Sequence, residues 1–220
     1  MVRKSPPFPA AEPASPPDGA QPLFPDALRR VAEAILAEEL PLTRHFHGLL
    51  HTRRMVRTAG ELSRAEGLDD AGRRAVETAA LLLDTGFREA TSEPLEKSAL
   101  MANLLLPVQG YALAEVDAVR SLIELAADAD ASPSTPEQKV LLDVRNEFAG
   151  ADDAEEQFQL LYREALEDGQ FADRAGFLRH WIPKLKQTEY HSETAKERFS
   201  ANKMRLRMKL ERELAGLRFE

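Results

Sequence analysis

The stretch Phe46-His47-Gly48-Leu49-Leu50-His51-Thr52, followed further along by Ala79-Ala80-Leu81-Leu82-Leu83-Asp84-Thr85-Gly86-Phe87, decides how this chain reads. His47 and His51 stand four residues apart, so on a helix they share a face, as a metal-binding pair would and as surface or capping residues also do. Asp84 directly follows an unbroken apolar run, which places a carboxylate at the end of a buried helix. A charge there requires a partner: a metal, an arginine or the amides of a helix N-terminus. The plainer alternative is that Asp84 caps the turn at Thr85-Gly86.

Working outward, the periodicity is helical throughout. Before the histidines, Asp26 is a candidate N-cap for a helix with Leu28, Val31, Ile35 and Leu36 as its apolar stripe, closed by Pro41. Gly48 to Glu66 forms the next helix, with Leu49, Met55, Val56, Ala59 and Leu62 inward and Gly67 as its stop. Asp69 or Asp70 to Leu83 forms a third, apolar nearly all round after Val76 as a central buried helix must be.

Further helices are expected from Ser92 to Leu106, Leu113 to Ala127, Glu137 to Phe148, Ala154 to Glu167, Ala172 to Leu185 and Glu193 to Leu217. Strand-like alternation is missing and β-branched residues are scarce. The expectation is an all-α bundle of about eight or nine helices. The last helix, 193–217, sets Lys203, Arg205, Arg207, Lys209 and Arg212 beside Leu206, Leu210, Leu214 and Leu217. It is amphipathic and basic, suited to packing on the domain or on a second subunit. His180 and Trp181 read as packing or capping residues.

Residues 1–25 hold prolines at 6, 7, 9, 13, 16, 17, 22 and 25 among Ala and Ser. Proline lacks the backbone donor, so this segment reads as a disordered or polyproline-like tail, a linker or a docking segment, ahead of a domain at 26–220. The 220 residues, 43% hydrophobic and 30% charged, suit a globular domain. With no cysteine, any metal must be held by His, Asp or Glu. A net charge of −8 argues against general nucleic-acid binding, which needs a basic face. No apolar run reaches the roughly 18 residues of a membrane span, and no signal-peptide core is present, so the expected location is the cytoplasm.

The two opening stretches resemble the signatures of the HD-domain superfamily of metal-dependent phosphohydrolases, YHN..HT..V and AALFHDIGF. Leu40-Pro41, Glu96-Lys97-Ser98-Ala99, Gly110-Tyr111 with Glu115-Val116, Ile123, Phe177-Leu178 and Tyr190-His191-Ser192-Glu193-Thr194-Ala195-Lys196 fall in the family's order and spacing. The resemblance covers roughly residues 40 to 207 and implies the HD-domain helical bundle. It also implies a site of the form H…HD…D that holds divalent cations for phosphoryl hydrolysis.

Carried over position by position, the resemblance makes His51 the first metal ligand and Asp84 both a ligand and the catalytic carboxylate. Leu83 replaces the histidine of the pair and cannot coordinate. Aligned on Gly150, Asp143 falls on the first aspartate of the family's DADL..LG and Arg145 on the second, which is the ligand. Asp143 is therefore a metal candidate. His47, Arg54 and Arg145 are substrate-binding candidates, and Arg53, Arg54 and Arg57 either meet phosphates or form a solvated face. Arg145 is expected to pair with Asp84 in place of the metal.

Three functions follow. The chain is a non-catalytic regulatory or ligand-sensing member binding a nucleotide or phosphate ester; or an active phosphohydrolase using manganese, iron, magnesium or nickel, with His51, Asp84, His47 and Asp143 rebuilding a site; or a protein-interaction scaffold. Homodimers or protein partners fit each reading, and a membrane or nucleic acid fits none.

Overall fold

A computed structural model of the chain describes residues 22–88, 93–128, 130 and 132–217. Among the described residues there are nine α-helices and no strand. They are α1 (Asp26–Ala34), α2 (Leu49–Ala65), α3 (Asp70–Leu82), α4 (Pro94–Val108), α5 (Leu113–Ala127), α6 (Pro136–Arg145), α7 (Ala154–Glu167), α8 (Arg174–Gln187) and α9 (Glu193–Gly216). None of them is long and apolar enough to cross a membrane.

The centre is α3. Asp69 caps it by accepting the Gly72 amide at 2.8 Å, and from Val76 to Leu82 every side chain is buried. Helix α2 packs along it, and the turn between them uses Gly67 at φ +72°, a left-handed conformation that glycine adopts without Cβ strain. The turn closes with Gly67 N–H to Arg64 O and Leu68 N–H to Ser63 O, which satisfies carbonyls left open at the end of α2.

Two apolar cores form. The first joins α1 to α6 around Leu82, Leu83, Ile123 and Leu141. The second joins α7, α8 and the latter part of α9 around Phe158, Phe177 and Leu178, with Trp181 packed against it. Each fully buried large side chain contributes about 1.5–3 kcal/mol. Helix α9 belongs to both, with Ala195 and Phe199 in the first core and Leu206 and Leu210 in the second. Gly150 lets it approach: a Cβ there would lie 2.4 Å from Phe199 Cβ.

Helices α5 and α7 match their expected spans. Other boundaries shift for identifiable reasons. Asp26 lies inside α1 behind Pro25 and binds Arg29, so it is not the cap. Val31 faces outward, and Ala32 takes its place in the core. Helix α6 starts earlier, because Thr135 and Gln138 form a reciprocal capping box. It also stops at Arg145, with a tighter 3-10 turn at Glu147–Ala149. Helix α4 runs past Leu106 through Pro107, and the expected start at Ser92 lies outside the described residues.

Residues 1–21 of the expected tail also lie outside the described residues. The part that follows is packed. Phe24 is buried in the first core, and the Leu23 amide donates to Glu77 Oε2 at 2.7 Å. A large aromatic side chain and a backbone amide among the prolines hold this end to the domain.

Candidate functional site

The segment leading into α2 brings Arg44, His45 and His47 against the last turn of α7, where Glu164, Glu167 and Asp168 lie on neighbouring positions. His47 Nδ1 is 2.5 Å from Glu164 Oε1. Glu164 Oε2 accepts the amides of Phe46 and His47 at 2.9 and 3.0 Å. His45 Nε2 lies 2.9 Å from Glu167, and Arg44 pairs with Asp168 and donates Nε to Phe87 O. The His47 ring stacks on Phe87 with centroids 3.8 Å apart. Burial would raise the Glu164 carboxyl, but His47 and the two amides hold it below the usual carboxylate range.

Asp84 sits where α3 tightens into the 3-10 segment Leu83–Arg88, and it is buried. Its Oδ2 accepts from three groups of the α2 start: the Gly48 amide at 3.2 Å, the Thr52 hydroxyl at 3.2 Å and His51 Nδ1 at 2.8 Å. Burial, the largest single influence, opposes its charge, but His51, His47 and Thr52 together hold the carboxyl below its ordinary range. The turn at Thr85-Gly86 is closed by Ser98 instead: Gly86 N–H donates to Ser98 Oγ at 2.9 Å, and that hydroxyl donates to Leu83 O at 2.6 Å. Gly86 is required here, since a Cβ would lie 1.9 Å from Pro94 O.

A carboxylate only accepts, so the proton of a neutral His51 is on Nδ1 and its Nε2 carries the lone pair. That Nε2 is buried and has no hydrogen-bond partner among the described residues. Phe46 covers one side of the ring, with centroids 4.3 Å apart.

Further along the same face of α2 come Arg54 and Thr58. Arg54 makes a forked pair with Asp153, and the Thr58 hydroxyl donates to Glu147 Oε2 at 3.3 Å. Glu147 is buried. Its Oε1 lies 3.7 Å from Arg54 Nε and lacks a hydrogen-bond partner among the described residues. Burial pushes the Glu147 carboxyl up, against the charges of Arg54 and His51.

His47, His51, Arg54 and Thr58 thus form a polar row answered by Glu164, Asp84, Asp153 and Glu147. Sequence reasoning missed these acids other than Asp84. The cluster of acids ending α7 was a visible signal, but nothing local tied it to residues 44–47.

Two expectations need correction. Arg145 does not pair with Asp84, because the start of α2 already supplies that carboxylate with three donors. Arg145 has no hydrogen bond or ion pair among the described residues, and burial pushes its guanidinium below its ordinary value. Asp143 does not join His51 and Asp84. It accepts the amides of His191 at 2.6 Å and Ser192 at 2.8 Å and the Ser192 hydroxyl at 2.6 Å, which anchors the start of α9. Burial raises its carboxyl despite these donors.

A divalent cation does not fit these residues. Leu83 is an alkyl group in the first core. Asp84 orients the His51 imidazole rather than standing beside its free nitrogen. Among the described residues, no three His, Asp or Glu side chains are grouped to hold a metal.

Comparison of the chain with protein-family models, curated proteins and solved structures found no match.

Proposed function

We propose that this chain is an HD-like helical domain that binds a nucleotide or other phosphate ester as a cytoplasmic sensing or regulatory module and does not hydrolyse it. The observation that carries this reading is the triple donor set on Asp84 Oδ2. Where the resemblance calls for a cation, the start of α2 supplies the counter-charge and hydrogen bonds. Arg145 supports the ligand class, since a partly buried guanidinium without an acidic partner among the described residues suits phosphate oxygens. His47 and Arg54 are already held by Glu164 and Asp153, so their contribution is to shape the site.

The test uses protein purified without a histidine tag. Elemental analysis after incubation with manganese, iron, nickel and magnesium salts should find no stoichiometric metal. Titration with nucleoside mono-, di- and triphosphates should show saturable binding without phosphate release, weakened by Arg145→Gln. Stoichiometric metal that is lost in Asp84→Ala, accompanied by phosphate release, would overturn the proposal.

One observation favours a second reading. His51, with Nδ1 on a carboxylate and Nε2 uncommitted, has the arrangement of a general base. Phosphate release that persists in chelator and disappears in His51→Gln would select a metal-free hydrolase instead.

A further inference from the structure

Helix α4 presents Leu100, Leu104 and Val108 to solvent at 55%, 67% and 76% exposure. They recur every fourth residue and so form one stripe. Leu113, 79% exposed, begins α5 just past the turn at Gly110. Scattered exposed aliphatic residues need no explanation, whereas a run of them marks a contact surface. Beside the stripe lies a cleft of about 510 Å³ between α4 and α5, whose lining includes Ala99 and Leu100 with Glu96, Glu124 and Asp128. Glu96 has no ion pair among the described residues, and Glu124 shares Arg120 with Asp117. Lys97, the one cation on α4, stands at the head of the stripe.

Helix α9 carries the opposite character. Its outer face shows Met204 and Met208 at 53% and 43% exposure, between the exposed Ala201 and Ala215. Arg212 on that face has no partner among the described residues, and Arg205 reaches the amide oxygen of Asn202. Glu211, also there, lies 3.6 Å from Arg207. Methionines are flexible and polarisable, and they mould to an aliphatic ridge. The face from 201 to 215 is about 22 Å long at 1.5 Å per residue, and so is α4.

We infer that a second copy of this chain occupies the α4–α5 cleft with its α9. In this contact Met204 and Met208 lie against Leu100 and Leu104, and Arg205 and Arg212 lie over Glu96, Glu124 and Asp128. Ridges spaced every fourth residue on both helices interdigitate at ordinary helix-packing distance. The contact joins two different surfaces, so it is heterologous and builds rings or open chains. A lipid or nucleic-acid surface fits less well, because Glu211 stands between Arg205 and Arg212 and the chain as a whole is acidic.

Sedimentation velocity of the full chain across a hundredfold concentration range tests this. Self-association is expected, weakened at least about tenfold by Leu104→Lys or by Met208→Lys, while circular dichroism shows each variant folded. Charge reversal then fixes the geometry. Glu96→Arg with Glu124→Arg should dissociate the protein, as should Arg205→Glu with Arg212→Glu, and mixing the two variants should restore association. The inference is overturned by a monomer at every concentration, by failure of the mixture to associate, or by a dimer that Leu104→Lys breaks and Met208→Lys leaves intact. The last result would mean that α4 pairs with its own copy.

Discussion

Asp84 and Asp143 are built alike and behave differently. Each is a buried aspartate that gathers three donors from the beginning of a helix remote in sequence: Asp84 from α2, Asp143 from α9. At Asp143 the donors are two amides and a hydroxyl, and the carboxylate serves as an anchor. At Asp84 one donor is an imidazole. The bond that fixes it leaves the far ring nitrogen buried and without a partner among the described residues. A helix-start carboxylate becomes a candidate for chemistry when one of its donors has a second, unused face.

The largest effect should come from deleting each carboxylate. Asp84→Ala and Asp143→Ala each leave three buried or partly buried donors unpaired, and each should cost about 3–5 kcal/mol in urea denaturation. A loss below about 1 kcal/mol at either site would break the likeness.

The pH dependence then separates them. The folded Asp84 carboxyl lies below its unfolded value, so its contribution is present above the unfolded value and is lost as pH falls through the folded one. The folded Asp143 carboxyl lies above its unfolded value, so its contribution is present below the unfolded value and is lost as pH rises through the folded one. Stability profiles of Asp84→Asn and Asp143→Asn should therefore lose slopes of opposite sign. Slopes of the same sign would remove the distinction.

A smaller change probes single donors. Thr52→Val at Asp84 and Ser192→Ala at Asp143 should each cost about 1 kcal/mol, with Ser192→Ala the larger because that hydroxyl also accepts the Ala195 amide as the α9 cap. The smallest effect belongs to Arg145→Ala. Had Arg145 been the partner of Asp84, its loss would cost several kcal/mol; with no partner among the described residues, the change should stay within about 1 kcal/mol of neutral by thermal unfolding.

Much of the fold could be read from the sequence, because helical periodicity and stop residues act locally. The spans of α5 and α7 and the enclosure of α3 follow from side-chain spacing alone. The need of Asp84 for a partner was legible from the apolar run before it, and a helix-start amide is among the partners it has. Local pattern could not reveal Glu164, which is 117 residues from His47, or the donors to Asp143, which are 48 and 49 residues away. Placing Asp143 and Arg145 by alignment on Gly150 carried over sequence position but not side-chain environment.

The dual membership of α9 also bears on how the chain is made. The first core is drawn mostly from the first two thirds of the sequence, yet it is closed by Tyr190, Ala195 and Phe199. A ribosome must therefore pass Phe199 before that core can be sealed. Until then the growing polypeptide carries an open apolar face, the state most exposed to aggregation and most dependent on chaperones.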